Sequence, residues 1–272
     1  MLLSKMNLPT DRPVVMGILN ITPDSFADGG RFESFDSALH RGQEMISEGV
    51  DIIDVGGEST RPGSHRIATD EELRRVLPVI EALAAKGAVI SIDTKRAITA
   101  RKAVEAGALI VNDVSAGLSD PDMLDVVAAL GAPYIAMHTR GESADMQMRA
   151  VYDNVVAEVV SELGERARAS LAAGILPENL ILDPGIGFAK ESEHNWEILN
   201  HLDEFKAIGY PILIGASRKR FLGKLVGSDK TDARESATIA LTTLLAKQGV
   251  WGVRVHSVKP HRDAIDVARS MT

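Results

Sequence analysis

The sequence contains no cysteine, which excludes disulfide bonds, thiolate metal sites and a cysteine nucleophile and agrees weakly with a reducing compartment. Aromatic residues are also scarce, at 4% of 272 residues, so the hydrophobic core must consist mainly of Val, Ile, Leu and Ala. No apolar stretch approaches the length of a membrane span, and residues 1–13 lack the regions of a signal peptide. We therefore expect a cytoplasmic protein without a membrane partner.

Basic residues are fewer than acidic ones, since 30 Lys and Arg against 38 Asp and Glu give a net charge of −8. A nucleic-acid partner normally requires a basic face, so we do not expect one. An anionic small-molecule substrate stays compatible with this charge, because the local field of a site can oppose the net charge. The length fits one large domain or two small ones.

Short apolar, β-branched segments recur along the whole chain. All but the last are nearly continuous apolar runs, which is typical of strands buried on both faces of a parallel sheet. The eight predicted strands are Val14–Asn20, Asp51–Gly57, Ala88–Thr94, Leu109–Val114, Tyr134–His138, Leu180–Gly185, Ile212–Ser217 and Gly252–His256.

Helical patterns lie between these strands, and one of them begins with a possible capping box formed by Thr69 and Glu72. The clearest predicted helices are Thr69–Lys86, Val151–Ala173, Glu191–Ile208 and Asp232–Lys247. A glycine closes most of the helical segments just before the next strand, where it can adopt the left-handed conformation that ends a helix. These glycines are Gly49, Gly87, Gly107, Gly131, Gly174, Gly209 and Gly249.

The unit of strand, loop, helix and glycine occurs eight times, and eight such units in about 250 residues match a (β/α)8 barrel. A doubly wound open sheet is the alternative, but it usually has fewer strands, and no GxGxxG motif follows the first strand. No change of composition indicates a linker. We predict a single-domain TIM barrel over residues 14–272, preceded by an N-terminal extension at residues 1–13.

Each predicted strand ends in side chains that can form hydrogen bonds or carry charge. They are Asn20, Asp54, Asp93, Asn112, Asp113, His138, Asp183, Ser217, Arg218, Lys219, Arg254 and His256. Asp and Asn are common at turns and helix caps, which explains any single position. Charged groups do not collect over one barrel mouth, however, without a ligand to offset their desolvation. We therefore predict the active site at the C-terminal strand ends.

The charges at this predicted mouth separate by sign along the chain. The acids of strands two, three and six are Asp54, Asp93 and Asp183. The cations of strands seven and eight are Arg218, Lys219 and Arg254, with His256 as a possible fourth. For Arg218, a position on a solvated helix face is an equal alternative. Barrels often place a phosphate near the loops after strands seven and eight. A substrate with a donor-rich head and an anionic tail would satisfy both halves.

Seven segments of the sequence form a set of motifs, in chain order MGILNITPDSFADGGRF, DIIDVGGESTRPG, SIDT, VNDVSAG, LDPGIGFAK, GASRKRFLG and VRVH. Together and in this order they resemble the dihydropteroate synthase family, and the resemblance runs from about Val14 to Ala268, nearly the whole chain. NITPDSF and GGESTRPG are specific, whereas SIDT alone would be weak. The resemblance implies a pterin-binding (β/α)8 barrel, usually a homodimer. It also implies an enzyme that joins 6-hydroxymethyl-7,8-dihydropterin pyrophosphate to p-aminobenzoate, with Mg²⁺, and that is a target of sulfonamide inhibitors.

The same resemblance assigns roles to individual residues. The pterin ring would be held by Asp93, Asn112, Asp183 and Lys219. The p-aminobenzoate site would be lined by Thr60, Arg61, Pro62, Phe188, Ser217 and Lys219. Pyrophosphate would contact Asn20, Arg254 and His256, with Asn20 as the Mg²⁺ ligand, and residues 22–30 would form a closing lid. We expect Asp93, Lys219, Arg254 and His256 to act by charge placement, without a covalent intermediate.

Other polar residues receive structural interpretations. We expect His138 to pack near the floor of the site, Asp54 to be a buried organiser and Arg220 to lie on a solvated helix face. The histidines expected at the surface are His40, His65 and His261. Two positions depart from the family, since Ser257 stands where Asp is frequent and Ala116 where Gly is usual.

Two other functions are compatible with such a barrel. A pterin-dependent methyltransferase would share the Asp and Asn contacts but should lack a pyrophosphate site, and Arg61, Arg254 and His256 argue against it. A non-catalytic pterin-binding paralogue should have lost some of the motif residues, such as Asn20 or Thr60, yet both are present.

Overall fold

This computed structural model describes residues 3–21, 31–59, 63–64, 66–142 and 145–271, without the side chains of residues 31–34. In these ranges eight strands are each followed by one or two α-helices, ten in all. The strands are β1 (Val14–Asn20), β2 (Ile52–Gly56), β3 (Ile90–Asp93), β4 (Ile110–Asp113), β5 (Tyr134–Met137), β6 (Leu180–Asp183), β7 (Leu213–Ile214) and β8 (Gly252–Val255). The helices are α1 (Arg31–Ser47), α2 (Thr69–Ala84), α3 (Ala97–Glu105), α4 (Met123–Leu130), α5 (Val155–Ala172), α6 (Ser192–Asn200), α7 (Leu202–Lys206), α8 (Arg220–Val226), α9 (Glu235–Lys247) and α10 (Lys259–Ser270).

All the strands are parallel, and they form a single sheet that closes on itself. β1 pairs with both β2 and β8, and a parallel bridge between Leu182 and Ile212 joins β6 to the segment of β7. The order around the sheet follows the order in the chain. The predicted (β/α)8 barrel is therefore confirmed, and the open doubly wound sheet is excluded. In the described part of the chain, no helix has both the length and the apolar character needed to cross a bilayer.

The inner face of the barrel changes from apolar to polar along the strands. Because side chains alternate with a period of two, Ile52 and Asp54 share the inner face of β2, as Ile110 and Asn112 do in β4. A buried cluster fills the N-terminal half with Met6, Val14, Met16, Ile52, Ile110, Ile135, Ile181 and Leu213. Met6 belongs to the segment before β1, so this segment covers the N-terminal end. The polar residues therefore meet at the C-terminal end.

The predicted helix boundaries hold in part. All seven glycines have positive φ, between +61° and +114°, as a left-handed helix terminus requires. The segment 191–208 is not one helix, because His201, with φ of −119°, separates α6 from α7. α5 begins at Val155 rather than Val151, since the Asn154 side chain accepts a hydrogen bond from Ala157 N and caps the helix.

The predicted capping box at α2 is wrong. The residue before α2 is Ala68, and it offers no side-chain cap. Glu72 is instead buried and accepts hydrogen bonds from Thr94 Oγ1, Arg96 and Thr99 Oγ1 at 2.6–3.0 Å. A buried carboxylate requires such donors, and this demand outweighs the local capping pattern. Glu72 thus ties α2 to the loop that follows β3.

The surface position predicted for His261 is also wrong. His261 is fully buried where α10 packs against α9, and its ring contacts Thr242 Oγ1 at 2.8 Å and Glu235 Oε1 at 3.3 Å. His40 is exposed as predicted, and His65 lies outside the described residues. The burial of His261 depends on partners for both ring nitrogens on the neighbouring helix α9. The sequence of α10 alone cannot show that these partners are present.

Tyr134→Phe is expected to lower the free energy of unfolding by about 1–2 kcal/mol, because it removes a donor from a buried acceptor. Tyr134 is fully buried in β5 and donates from its hydroxyl to Asp113 Oδ2 at 2.9 Å. Asp113 also accepts from Ser115 and Gly117, so this carboxylate organises the loop after β4. Urea denaturation measures the change. Tyr210→Phe, at a half-buried tyrosine, is the matched control, and an equal loss in both variants would contradict the prediction.

Candidate active site

A ring of polar side chains lies at the C-terminal end of the barrel. Its residues come from seven of the strands or from the loop residues that follow them. They are Asn20, Asp54, Asp93, Asn112, Asp183, Ser217, Arg254 and His256, with Lys219 directly before α8. Most of these residues are buried, whereas Asn20, Lys219, Arg254 and His256 are half-buried. The structure thus brings together nine of the twelve residues that the sequence pattern predicted at this mouth. Asp113, His138 and Arg218 have their partners outside the ring.

Arg254 is the central cation of this ring. Its guanidinium donates to Asp54 Oδ2 at 2.6 Å and to Asp93 Oδ2 at 2.7 Å, and Asn112 Nδ2 donates to Asp54 Oδ2 at 3.0 Å. The predicted separation of charges by sign is therefore wrong, since a cation of the last strand lies among the acids of strands two and three. Closure of the barrel brings β8 beside β1, and the arginine is long enough to reach across. Asp54 has the predicted role of a buried organiser.

Asp54 and Asp93 keep unused acceptor capacity. The Oδ1 atom of each is buried and has no hydrogen-bond partner among the described residues. Burial raises the pKa of Asp93 from its ordinary value of 3.8 to about 7, and the nearby Asp54 adds to this effect while Arg254 opposes it. Buried acceptors without donors are costly. The two carboxylates therefore suit a ligand that brings hydrogen-bond donors or positive charge.

Two glycines on the inner face leave room in the middle of the ring. A β-carbon at Gly56 would lie 3.4 Å from Asn20 Oδ1 and 3.6 Å from Asp93 Cβ. A β-carbon at Gly215 would lie 3.6 Å from Asp183 Oδ2 and 3.8 Å from Arg254 Cβ. Asp183 and Arg254 therefore border the same space. Larger side chains at these two positions would fill a volume that a ligand can occupy.

Asp183 and Lys219 form the opposite side of the ring. Asp183 Oδ1 accepts from Gly185 N at 2.7 Å, and burial raises the pKa of this carboxyl although Lys219 and Arg254 oppose the shift. Lys219 Nζ donates to the carbonyl of Ile186 and lies 4.3 Å from the centre of the Phe188 ring. Burial lowers the pKa of Lys219 to about 7. This side offers a carboxylate, an ammonium group and an aromatic face together.

Ser217 and His256 lie together beside Arg254. Ser217 Oγ is 2.9 Å from His256 Nδ1 and accepts from His256 N at 3.3 Å, so the loop after β7 is tied to the end of β8. Arg218 has φ of +57° and is bound by Glu235 at 2.6 Å and Ser257 at 3.0 Å. Arg218 is thus held by α9 and by Ser257, two residues after β8, and the alternative in which it adds a cation to the mouth is wrong.

Several predicted site residues lie outside the described residues. They are Thr60, Arg61 and Pro62, all three assigned to the p-aminobenzoate site, and the segment 22–30, assigned to a lid. Within the described ranges, no group of three or more His, Cys, Asp or Glu side chains is arranged to hold a metal ion. Asn20 is the predicted metal ligand that the structure describes, and it lies at the edge of the ring, next to Gly56.

Sequence patterns missed one buried cation, Lys190, in the loop that follows β6. Lys190 is buried, and its Nζ contacts His138 Nδ1 at 2.8 Å and Phe188 O at 3.0 Å. His138 is buried with partners at both ring nitrogens, which agrees with its predicted structural position. A lysine in a polar loop is usually exposed, so no sequence signal indicates that this one is enclosed.

Known proteins resemble this chain over nearly its full length. A family model described as "Pterin binding enzyme" matches residues 16–256. Dihydropteroate synthase of Mycobacterium leprae (strain TN) is 50% identical over 259 residues, covering 93% of this chain and 91% of that protein. The matched region of the family model begins in β1 and ends directly after β8, so it contains the barrel strands.

Solved structures give the same relationship. Xanthomonas albilineans dihydropteroate synthase with 4-aminobenzoic acid matches with a TM-score of 0.90 and 44% identity, covering 96% of this chain and 93% of that one. The structure of dihydropteroate synthase from Xanthomonas albilineans in complex with 7,8-dihydropteroate matches with a TM-score of 0.88 and 41% identity, covering 97% and 95%.

Proposed function

This chain belongs to the dihydropteroate synthase family, and from that premise we propose how its mouth carries out the condensation. The reaction joins 6-hydroxymethyl-7,8-dihydropterin pyrophosphate to p-aminobenzoate and releases 7,8-dihydropteroate and pyrophosphate. The observation that supports this most directly is the position of Arg254, which binds Asp93 at 2.7 Å and borders the space beside Gly215 together with Asp183. The mouth therefore offers acceptors for a donor-rich heterocycle close to a guanidinium for an anion.

The pterin ring is proposed to bind deep in this space. A carboxylate can accept two parallel N–H donors, as the 2-amino group and N3 of a pterin provide, and Asp183 is the proposed acceptor. Asn112 and the unpartnered Oδ1 of Asp93 supply further polar contacts on the opposite side. Such pairing would offset the desolvation of these buried groups. Lys219 is proposed to contribute its ammonium at the edge of the ring.

The p-aminobenzoate is proposed to bind between Phe188, Lys219 and Ser217. The Phe188 ring is half-buried under Lys219 Nζ and presents an apolar surface to an aromatic substrate. Thr60, Arg61 and Pro62 keep their assignment to this site as a prediction. Sulfonamides, as analogues of p-aminobenzoate, are expected to compete at the same surface.

The diphosphate is proposed to lie near Arg254, His256 and Asn20. Mg²⁺ prefers oxygen ligands and is often held by one or two protein groups together with substrate phosphates and water. The amide oxygen of Asn20 fits that role. Because the described residues contain no group of three or more His, Cys, Asp or Glu arranged for a metal, we propose that Mg²⁺ binds together with the diphosphate. When bound, Mg²⁺ would neutralise charge on the leaving group. Arg254 and His256 would bind the departing oxygens.

The chemistry is proposed to rest on charge placement. Breaking the bond between the pterin methylene carbon and the diphosphate oxygen leaves positive charge on the ring system and negative charge on the leaving group. Asp93 is proposed to stabilise the positive charge on the pterin. Arg254, which binds Asp93 in the mouth, is proposed to stabilise the negative charge on the diphosphate. The amine nitrogen of p-aminobenzoate then forms a bond to the methylene carbon and loses one proton to water or to the released pyrophosphate. The amine therefore needs orientation more than a general base from the protein. No covalent bond to the protein is required.

The test is an assay of pyrophosphate release with and without p-aminobenzoate. We expect release that depends on p-aminobenzoate and is inhibited competitively by a sulfonamide. Asp183→Asn should raise the KM for the pterin substrate strongly, because an amide cannot accept both N–H groups. A methyltransferase would release no pyrophosphate, and a binding-only paralogue would bind the pterin without turnover, so either result would contradict the proposal.

A homodimer and a cytoplasmic location remain proposals. Large apolar side chains are exposed on α9 and α10, including Leu244 at 61% and Val267 at 56%, and these two helices pack against each other. Exposed apolar residues of this kind are frequent in subunit interfaces. Sedimentation equilibrium of the protein measures the oligomeric state, and a monomer at micromolar concentration would contradict the homodimer.

A further inference from the structure

The loop that joins β6 to α6 is held at four successive carbonyl oxygens by side chains. The donors to Ile186, Gly187, Phe188 and Ala189 are, in order, Lys219 Nζ, Gln147 Nε2, Lys190 Nζ and the Tyr152 hydroxyl. The last three of these bonds measure 3.3, 3.0 and 2.9 Å. Lys190 is the one donor of the four that belongs to the loop itself, and the proposed reaction does not use it.

Lys190 is enclosed below this loop. It is 3% exposed, and its Nζ lies 3.0 Å from Phe188 O and 2.8 Å from His138 Nδ1. An amine has the two hydrogens that these contacts need whether or not it is protonated. The arrangement therefore depends on His138 Nδ1 being an acceptor, and not on the charge of Lys190.

Glu162 fixes the tautomer of His138. His138 Nε2 lies 2.9 Å from Glu162 Oε2, and Arg140 also binds Glu162, so this carboxylate is ionised and accepts from Nε2–H. The pKa of His138 is lowered to about 4, chiefly by burial and then by Lys190, which agrees with a neutral ring. With the proton on Nε2, Nδ1 is left as the acceptor that Lys190 requires.

The backbone around this pair has no space for adjustment. A β-carbon at Gly185 would lie 1.9 Å from His138 O, so the loop and the end of β5 pack backbone against backbone. Phe188, three residues further, carries the ring that lies 4.3 Å from Lys219 Nζ. Lys190 therefore donates to the backbone of the same residue whose ring faces Lys219.

We propose that Lys190 and His138 are positioning residues that orient Phe188 for p-aminobenzoate. Lys190 is held by His138 Nδ1 and donates to the Phe188 carbonyl, and Glu162 serves only to set the tautomer in which Nδ1 is an acceptor. The inference rests on the proposed function, because it assigns Phe188 to the p-aminobenzoate surface. Neither residue is proposed to contact a substrate. Their effect should therefore appear in the KM for p-aminobenzoate more than in kcat.

Two substitutions of His138 separate the acceptor from the donor. In His138→Asn the amide oxygen takes approximately the place of Nδ1 and can still accept from Lys190, while the bond to Glu162 is lost. In His138→Gln the amide nitrogen takes approximately the place of Nε2 and can still donate to Glu162, while the acceptor for Lys190 is lost. Asn removes more volume than Gln, so a role in packing alone would make His138→Asn the worse variant.

We expect His138→Gln to raise the KM for p-aminobenzoate about tenfold, as loss of one hydrogen bond in a buried chain implies, with kcat changed by less than about threefold. His138→Asn should stay within about threefold of the unmodified protein in both constants. Lys190→Met should raise the same KM at least as much as His138→Gln. The KM values come from the pyrophosphate-release assay, and circular dichroism verifies that each variant is folded at the assay temperature.

The inference is overturned if both His138 variants raise this KM equally, if His138→Asn raises it more, or if neither changes it. It is likewise overturned if the loss in His138→Gln lies in kcat alone. Failure of the proposed function is a separate result, since it would appear as no release dependent on p-aminobenzoate in the unmodified protein.

Discussion

Arg254→Met is expected to lower the free energy of unfolding by about 3–5 kcal/mol, because it leaves two buried carboxylates without their shared cation. Arg254 binds Asp54 and Asp93 at 2.6 and 2.7 Å, and one oxygen of each of these acids has no partner among the described residues. The same substitution is expected to lower kcat/KM for pyrophosphate release roughly 100- to 1000-fold, since it removes the guanidinium proposed to meet the leaving group. Urea denaturation and the release assay measure the two effects.

Arg12 provides a matched control at the other end of the barrel. Its guanidinium binds both oxygens of Asp51 at 2.7 Å, just before β1 and β2 begin. Arg12→Met should also destabilise the protein, because it leaves Asp51 poorly paired, but kcat should stay within about twofold because the pair lies far from the mouth. If both arginine variants lose activity to the same extent, the loss reflects lower stability alone, and the proposal that Arg254 binds the leaving diphosphate is wrong.

A double variant separates the two effects of Arg254. Asp54→Asn combined with Arg254→Met removes one of the carboxylates that lost its cation, so part of the lost stability should return. The activity should not return, because the charge proposed to meet the diphosphate is still missing. Recovery of both properties in the double variant would mean that Arg254 serves only to neutralise Asp54.

The barrel and the members of its polar ring were predictable from the sequence for a geometric reason. Continuous apolar strands separated by helices and glycines leave few alternatives to a closed parallel sheet. The carboxyl ends of parallel strands meet at one end, so Asp93 and Asp183 could be placed in one mouth although 90 residues separate them in the chain, as their numbers show. The alternation of side chains along each strand then indicated which residues point into the barrel.

The pairing within the ring was not predictable, because it depends on side-chain reach across the barrel. Arg254 neutralises Asp54 and Asp93, 200 and 161 residues away in the chain. His261 was expected at the surface, but it is buried because α10 packs against α9 on the side that carries this residue. Lys190 and His138, 52 residues apart, follow different strands, and no periodic pattern links two loops.

Asp93→Asn is expected to make the unliganded protein more stable at neutral pH and much less active. Burial raises the pKa of Asp93 to about 7, which means that the folded protein disfavours its ionised form despite Arg254. Asparagine has nearly the same shape and cannot ionise. The variant should therefore gain stability on the order of a few kcal/mol above about pH 7, while kcat for pyrophosphate release falls roughly 100-fold or more.

The sign of the pH dependence follows from proton binding. Between 3.8 and about 7, the folded protein holds a proton on Asp93 that the unfolded chain has released. The free energy of unfolding therefore falls with rising pH through this window, and the contribution of Asp93 is constant above it. Burial also raises the pKa of Asp113 and Asp183, but both remain in the variant, so their contributions cancel in the difference.

The measurement is the difference in unfolding free energy between Asp93→Asn and the unmodified protein at about pH 5 and about pH 8, obtained by urea denaturation. This difference should favour the variant more strongly at the higher pH. A single-turnover quench experiment then follows pyrophosphate release in both proteins. An Asp93→Asn protein that releases pyrophosphate at the unmodified rate would remove Asp93 from the mechanism. A stability difference that does not grow with pH would mean that Arg254 keeps this carboxylate ionised in the folded protein.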